Sequence, residues 1–310
     1  MEDFGSEPVC CLPAANAFDL PLPALNDEEG KRVDPGLPPV VDSHVHVFPD
    51  GVFAAIWRWF DKYGWPVRYR LPTPDLVAFL LARGVRNVVA LSYAHKPAMA
   101  RALNRFMAEV QKAEPRVHGM GTVFPGEPDQ LASLDEAKAL GLHGLKLHCH
   151  VQAISPDDPK LHDIYSWCER HDLPLVMHAG RAPRSEHYPV DPWKLCAVER
   201  VEYVLKDHPK LRLCVPHLGG DEFIPYAELL ERYDHLWLDT TMMCGGYFDL
   251  DVPLDRFLAH PDRIMYGTDF PNIPYAWDRE LKQFAGRKLK DEVLAKLLSG
   301  NAAGFFGLRI

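Results

Sequence analysis

From residue 40 onward, short β-type runs alternate with longer segments of helical pattern. This alternation is typical of repeated βα units, whose strands lie parallel in one sheet. Eight such units predict a (β/α)8 barrel, a fold that commonly takes about 250 residues. An open doubly wound sheet is the alternative, but the sequence contains no Gly-x-Gly-x-x-Gly turn that would support it. The eight predicted strands are residues 40–47, 86–92, 117–123, 143–148, 173–178, 211–217, 236–240 and 263–269.

Residues 1–39 have a different composition, with seven prolines and no sustained periodicity. Such a segment predicts an extended N-terminal arm attached to a single barrel domain of residues 40–310. The arm could wrap a neighbouring subunit or cover part of the site, or it could be a surface tail with little role.

Charge and cysteine content exclude several kinds of protein. A net charge of -9 disfavours a nucleic acid or an anionic membrane surface as the main partner, because both need a basic footprint. The seven cysteines include no Cys-x-x-Cys pair, which argues against a disulfide framework and a zinc finger. The acidic first residues do not resemble a signal peptide, and no apolar run could span a bilayer. We therefore expect a cytoplasmic protein whose main partner is a small molecule.

The first predicted strand carries a His-x-His motif, His44 and His46. Side chains alternate along a strand. Asp42, His44 and His46 are therefore expected to point one way, and Val41, Val45 and Val47 the other. Two imidazoles on one face of a barrel strand are typical of a metal site.

Three further residues of metal-binding type fall at the ends of other predicted strands. His178 ends strand five, His217 ends strand six and Asp269 ends strand eight. The carboxyl ends of barrel strands converge on one face, where barrel active sites are built. Imidazoles and a carboxylate suit zinc, manganese or cobalt, with a position left open for a water whose pKa falls to about 7.

The chain resembles the metal-dependent amidohydrolase superfamily, in particular the amidohydrolase 2 branch that contains the aminocarboxymuconate-semialdehyde decarboxylase-like proteins. The resemblance covers roughly residues 40–308. The motifs that carry it are VDSHVH at 41–46, GLKLH at 144–148, HAG at 178–180, PHLG at 216–219, GTDFP at 267–271 and NAAGFF at 301–306.

The resemblance implies a ligand set and an assembly. His44, His46, His178 and Asp269 would bind one divalent metal, zinc first and manganese as the alternative. His217 would be a catalytic acid or base beside the metal, or an additional ligand, and Asp269 could also orient the attacking water. The branch commonly forms homodimers, so a homodimer is expected.

Lys146 lies on the predicted fourth strand, with its side chain expected to point into the barrel. In some two-metal members of the superfamily, a lysine on strand four becomes a carbamate that bridges the metals. The branch resembled here is usually described with one metal. Lys146 could instead bind a substrate carboxylate, balance the charge of Asp269, or be paired within the barrel.

Substrate contacts are predicted from side chains near the metal-binding strand ends. An aromatic and arginine-rich stretch follows strand one and could stack a flat ring and pair with a carboxylate. Two arginines follow His178, and two histidines lie at the end of strand four. The candidates are Lys146, His148, His150, Arg58, Trp59, Trp65, Arg181 and Arg184.

Two chemistries fit a single metal site. A hydrolase would use a metal-activated water on an amide, ester, lactone or carbon-carbon bond of a small anionic or aromatic substrate. A non-oxidative decarboxylase would deliver a proton to a ring or alkene carbon of an aromatic or dienoic acid. The Lys146-Leu147-His148 motif resembles that of hydrolase relatives in the branch, which favours the hydrolase. A catalytically silent metal-binding barrel is a third hypothesis.

Overall fold

The computed structural model describes residues 24–310, and all eight predicted strands lie within that part of the chain. The strands are parallel and pair in chain order as two sheets, one of β1 to β3 and one of β4 to β8. They are β1 Val40–His46, β2 Val85–Leu91, β3 Val117–Gly119, β4 Leu145–His148, β5 Leu175–His178, β6 Leu213–Val215, β7 Leu236–Asp239 and β8 Ile264–Met265.

The two sheets meet at both of their edges. Gly121 bridges to Leu145 in parallel between β3 and β4, and Val45 bridges to Phe270 between β1 and the segment after β8. The backbone hydrogen bond from the His46 amide to the Phe270 carbonyl adds to the second seam. The strands therefore close on themselves, and the predicted (β/α)8 barrel is confirmed.

Side-chain alternation holds on β4 but not along the whole of β1. On β4, Leu145 and Leu147 pack into the main core. Val41, however, belongs to a smaller cluster inside the barrel with residues of several other strands, and not to the main core that contains Val45. The pairing of β1 with β2 shifts register between Asp42 and Val45, which reverses the alternation. The expectation that Val41 and Val45 share a face was therefore wrong.

Helices surround the barrel, and none of those in the described residues is long and apolar enough to cross a membrane. A π-helical turn, Lys296–Gly300, joins the last two α-helices. The α-helices are α1 Asp50–Tyr63, α2 Thr73–Ala82, α3 Ala100–Ala113, α4 Gln130–Ala139, α5 Cys149–Gln152, α6 Pro159–His171, α7 Pro192–Leu195, α8 Val198–Asp207, α9 Phe223–Arg232, α10 Leu254–Phe257, α11 Arg279–Gly286, α12 Asp291–Ala295 and α13 Asn301–Phe306.

The arm is described from residue 24 onward, and this part packs against the barrel. Asp27 is buried and forms an ion pair with Arg279, with an oxygen-to-nitrogen distance of 2.6 Å. The Gly30 amide donates to Asp278, and the Trp277 indole donates to the Gly30 carbonyl. Residues 24–30 are therefore bound to α11 and the segment before it.

Candidate metal centre

All five residues predicted to bind metal or to act in catalysis lie at the carboxyl ends of barrel strands. His44 and His46 end β1, and His178 is the last residue of β5. His217 follows β6, and Asp269 follows β8. Each is less than a tenth exposed, and all but His44 line a cavity of about 290 Å³. The barrel thus brings together side chains that are up to 225 positions apart, as from His44 to Asp269.

Asp269 contacts both histidines of β1. Its Oδ1 is 3.0 Å from His46 Nε2 and 3.4 Å from His44 Nε2. Burial raises the pKa of Asp269, but the neighbouring His46 and His44 outweigh it, so the carboxyl pKa lies below its ordinary value. Asp269 is therefore an anion at neutral pH.

His178 and His217 face each other with two ring nitrogens that lack a proton in the neutral state. His178 Nε2 donates to the Ala182 carbonyl at 3.0 Å, and His217 Nδ1 donates to the Thr241 carbonyl at 3.0 Å. A carbonyl oxygen only accepts, so in each neutral ring the other nitrogen carries a lone pair. These nitrogens, His178 Nδ1 and His217 Nε2, are 3.2 Å apart. Such an arrangement needs a shared cation or a proton between the rings.

The spacing of the donor atoms fits a divalent metal. Two ligand atoms on a tetrahedral zinc, each about 2.1 Å from it, lie roughly 3.4 Å apart. The three contacts given above span 3.0 to 3.4 Å. His44, His217 and Asp269 also offer donor atoms that all lie within 4.8 Å of one another. Burial lowers the pKa of His44 to about 3 and that of His217 below its usual value, which keeps both imidazoles neutral for metal binding.

Asp239, which the sequence interpretation overlooked, orients two of these histidines. Its Oδ2 accepts from His44 Nδ1 at 2.9 Å, and its Oδ1 accepts from the His217 amide at 3.0 Å. Burial raises the pKa of Asp239, but His44 outweighs it and lowers the pKa to about 2. With its Nδ1 proton held by Asp239, His44 presents the Nε2 lone pair to the site, as metal-binding histidines commonly do. Asp239 is the last residue of β7, so the strand-end pattern could have identified it.

Replacing Asp239 with asparagine is expected to weaken metal binding about 10- to 100-fold. The carboxylate uses both oxygens as acceptors, whereas an amide would turn its NH2 group toward one of the two donors. Zinc affinity can be measured by competition with a chromophoric chelator. Asp234→Asn, just before the same strand and fully exposed, is the matched control and should bind zinc like the wild type. Equal affinity in the Asp239 variant would contradict this role.

Lys146 and His148 lie beside the candidate ligands. Lys146 is fully buried, its Nζ is 3.4 Å from His44 Nε2, and burial lowers its pKa to about 8. His148 lines the cavity and stacks on His178, with ring centroids 4.2 Å apart. His150 donates from Nε2 to the Gly180 carbonyl, and its buried Nδ1 has no hydrogen-bond partner among residues 24–310.

The aromatic and arginine candidates divide between the cavity and the surface. Trp59 and Trp65 line the cavity. Arg58 is exposed on α1, and Arg181 is bound to Asp221 at 3.0 Å. Arg184 contacts Asp191 at 3.5 Å. The described residues that line the cavity include no arginine and no lysine.

Other cavity residues were not predicted. Tyr93 follows β2 and packs edge-on against His46 and His148. Tyr188, in the segment after β5, stacks on Trp59 with ring centroids 5.3 Å apart. Most of the remaining lining is apolar, and its position after strand ends was the only signal in the sequence. These residues are Val52, Ala55, Ile56, Phe60, His95, Val151, Ala182, Pro183, His187, Pro189, Met242, Met243, Phe248 and Asn272.

The backbone takes a left-handed conformation at two of the site residues. His217 has φ of 60°, the next residue Leu218 has φ of 51°, and Asp269 has φ of 71°. His217 lies two residues after the end of β6, and Asp269 lies four residues after the end of β8. These turns bring the His217 and Asp269 side chains to the cavity.

The chain is similar to known proteins in sequence and in fold. The family model described as amidohydrolase matches residues 41–308. One similar solved structure is a 5-carboxyvanillate decarboxylase from Novosphingobium aromaticivorans, complexed with manganese and 4-hydroxy-3-methoxy-5-nitrobenzoic acid. Its TM-score is 0.66 at 18% identity, covering 91% of this chain and 100% of the other.

Two further solved structures share the fold. A 4-oxalomesaconate hydratase from Rhodopseudomonas palustris has a TM-score of 0.59 at 16% identity, covering 86% of this chain and 95% of the other. An amidohydrolase from Burkholderia multivorans with bound HEPES has a TM-score of 0.63 at 18% identity, covering 87% and 100%. The family match spans nearly the whole barrel, from β1 to the C-terminal helix. The chain therefore belongs to the amidohydrolase family.

Proposed function

We propose that this protein is a metal-dependent hydrolase that acts on a small aromatic substrate. His44, His46, His178 and Asp269 would hold one divalent cation, with zinc as the first choice and manganese as the alternative. The observation that carries the proposal is the Asp269 carboxylate, whose Oδ1 lies 3.0 Å from His46 Nε2 and 3.4 Å from His44 Nε2 beside the cavity that His178 and His217 line. Three imidazoles and one carboxylate suit either ion.

When bound, a divalent metal supplies Lewis acidity, which polarises the substrate and lowers the pKa of water. The chain itself supplies the proton transfer. His217 is fixed at Nδ1 by the Thr241 carbonyl, so its Nε2 can take the proton of an attacking water and pass it to the leaving group. Asp269, which lies in the same cavity, can accept a hydrogen bond from that water and orient it.

The walls of the cavity support an aromatic substrate. Trp59, Phe60, Trp65, Tyr93 and Phe248 line the cavity. A flat apolar body can stack against these rings, while one polar group reaches the histidine and aspartate cluster. Because the described lining contains neither arginine nor lysine, a second substrate carboxylate would find no cationic side chain there. Substrate contacts by Arg58, Arg181 and Lys146 therefore remain predictions.

Replacing Trp59 with alanine is expected to raise KM for an aromatic substrate about tenfold, with kcat changed only a few-fold. The substitution removes one face of the cavity and its stacking partner for Tyr188. A loss of about 1.4 kcal/mol of binding, near the value of one aromatic contact, gives that factor. Steady-state kinetics measure both constants. Trp193→Ala, on a tryptophan outside the cavity lining, should leave KM unchanged, and an unchanged KM in the Trp59 variant would contradict the stacking role.

A second candidate function is a metal-dependent decarboxylase of an aromatic acid. The observation that favours it is the position of His217 in an aromatic-walled cavity, where a protonated His217 could deliver a proton to a ring carbon. The similarity to a 5-carboxyvanillate decarboxylase also supports this reaction. The absence of a cationic side chain from the described cavity lining favours the hydrolase.

The experiment that tests the proposal is an assay of the purified chain against matched aromatic substrates. The panel contains lactones, esters and amides, and the corresponding free aromatic acids. Acid release that disappears with a chelator and returns with zinc or manganese supports the hydrolase. Metal-dependent release of carbon dioxide supports the decarboxylase instead. Turnover that survives complete metal removal, or a metal-loaded chain that turns over none of the panel, would overturn the proposal, and the second result favours the silent barrel.

We also propose that the protein is a homodimer and that it is located in the cytoplasm. The five cysteines of the described part are free and buried, which supports a reducing compartment. Cys10 and Cys11 lie outside the described residues. Size-exclusion chromatography with light scattering would measure the assembly directly.

A further inference from the structure

A second cluster of metal-binding side chains lies on the outside of the barrel, between α6 and α8. It consists of His162 on α6, Asp207 at the end of α8 and His208 immediately after it. His208 Nε2 is 3.2 Å from His162 Nδ1. Asp207 Oδ2 is 3.5 Å from His162 Nδ1 and 3.6 Å from His208 Nε2. Three potential ligand atoms from two helices thus form a nearly equilateral triangle.

His208 is held rigidly in this cluster. Its side chain is only 4% exposed, and its Nδ1 is 3.0 Å from Glu169 Oε2. Since a carboxylate only accepts, Nδ1 carries the proton and Nε2 presents its lone pair to His162 and Asp207. Tyr165 packs edge-on against the ring, with centroids 5.2 Å apart. A buried histidine whose second nitrogen is fixed by a carboxylate is the arrangement that commonly orients metal-bound histidines.

We propose that His162, Asp207 and His208 form a second divalent-metal site, of the zinc class, outside the barrel. Ligand atoms on a tetrahedral zinc lie roughly 3.4 Å apart, and the three distances here are 3.2, 3.5 and 3.6 Å. His162 and Asp207 are about half exposed, so a cation can enter from solvent and keep a water as its fourth ligand. Two nitrogens and one oxygen suit zinc, with copper and nickel as chemical competitors.

The surrounding groove favours a cation. It has a volume of about 180 Å³, and its lining includes the acidic residues Asp157 and Asp158 beside Asp207. Glu169 adds a fourth carboxylate behind His208. Arg200 donates to Asp157 at 2.9 Å. The carboxylate of Asp207 instead contacts the two histidines.

The expected effect of this site is on stability. Its ligands come from α6 and from the end of α8, two helices separated by β5 in the chain. A cation that binds only the folded chain would hold the two helices together and raise the unfolding temperature in proportion to the logarithm of its concentration. The site does not depend on the proposed function, because it shares no residue with the barrel centre.

The test is a count of zinc on the full chain by equilibrium dialysis at micromolar free zinc, followed by elemental analysis. The wild type is expected to bind one equivalent more than His162→Ala and one more than Asp207→Asn. His171→Ala is the matched control, because His171 lies on the same helix but contacts Lys138 instead of a carboxylate. This control should bind as much zinc as the wild type. Both exposed-ligand variants should also show a smaller zinc-dependent rise in unfolding temperature than the wild type.

The result that would overturn the proposal is equal zinc content in the wild type and both variants, which would leave a hydrogen bond between the two histidines as the whole interaction. A requirement for millimolar zinc would also overturn it, as adventitious binding. If the barrel centre bound no zinc, the zinc content of the wild type and of every variant would be lower by the same amount. That result is distinguishable from failure of the second site, which would remove the difference between the wild type and the variants.

Discussion

Alanine in place of His178 is expected to remove the metal from the barrel centre and to reduce kcat/KM about a thousandfold or more. The substitution deletes the Nδ1 lone pair that faces His217 at 3.2 Å and leaves the remaining donors with an incomplete set. A Lewis acid contributes several kcal/mol to transition-state stabilisation, and each 1.36 kcal/mol is a tenfold change in rate. Metal content by elemental analysis and steady-state kinetics measure the two effects.

His217→Ala separates the two roles that the sequence left open for His217. If His217 moves protons, the variant keeps its metal and loses about 10²- to 10⁴-fold in rate. If His217 is a ligand, the variant loses metal and rate together, as His178→Ala does. A His178 variant that retained full metal content and full activity would contradict the proposed ligand set.

Replacing Asp27 with alanine is expected to lower the free energy of unfolding by about 3 kcal/mol or more. Arg279 is buried and donates to both Asp27 and the Gly245 carbonyl, so the variant would remove the Asp27 carboxylate from a buried guanidinium. Breaking a buried ion pair in this way typically costs about 3 to 5 kcal/mol. Urea unfolding of the full chain gives the change.

Two control variants make this measurement specific to the ion pair. Asp34→Ala alters an exposed carboxylate of the same arm and should change stability by no more than about 0.5 kcal/mol. The double variant Asp27→Leu with Arg279→Met removes both charges and should be more stable than Asp27→Ala, because apolar pairs often replace buried ion pairs without loss. An Asp27 variant as stable as the wild type would show that the ion pair between Asp27 and Arg279 adds nothing to stability.

The order of strands and helices was accessible from the sequence because each βα unit is a local pattern. Two helix N-caps illustrate this, since Asp158 and Asp191 each precede a proline and accept from the amide two residues on. Thr73 also precedes a proline but does not cap its helix, because its hydroxyl donates to the Phe48 carbonyl across 25 positions. Residues 193–206 carry a helical pattern, yet the structure divides them between α7 and α8.

The same contrast holds in the site. The strand-end histidines and Asp269 were found because a barrel gathers all strand ends on one face, whatever lies between them. The register shift after Asp42 depends on how β1 pairs with β2, which the residues of β1 alone do not show. The pairing of Arg181 with Asp221 likewise joins segments 40 positions apart, so no local pattern could show where that arginine points.

The left-handed backbone at His217 and Asp269 lowers the stability of the fold but places two side chains that the proposed function needs. A residue with a Cβ atom is disfavoured in this region by roughly 1 to 2 kcal/mol, whereas glycine takes it freely. Glycine at either position would relieve that strain, yet it would delete an imidazole or a carboxylate from the centre. The barrel therefore folds despite the backbone strain at these two residues. Selection for stability alone would favour glycine at either position, and the resulting protein would be more stable but would lack a residue of the metal centre.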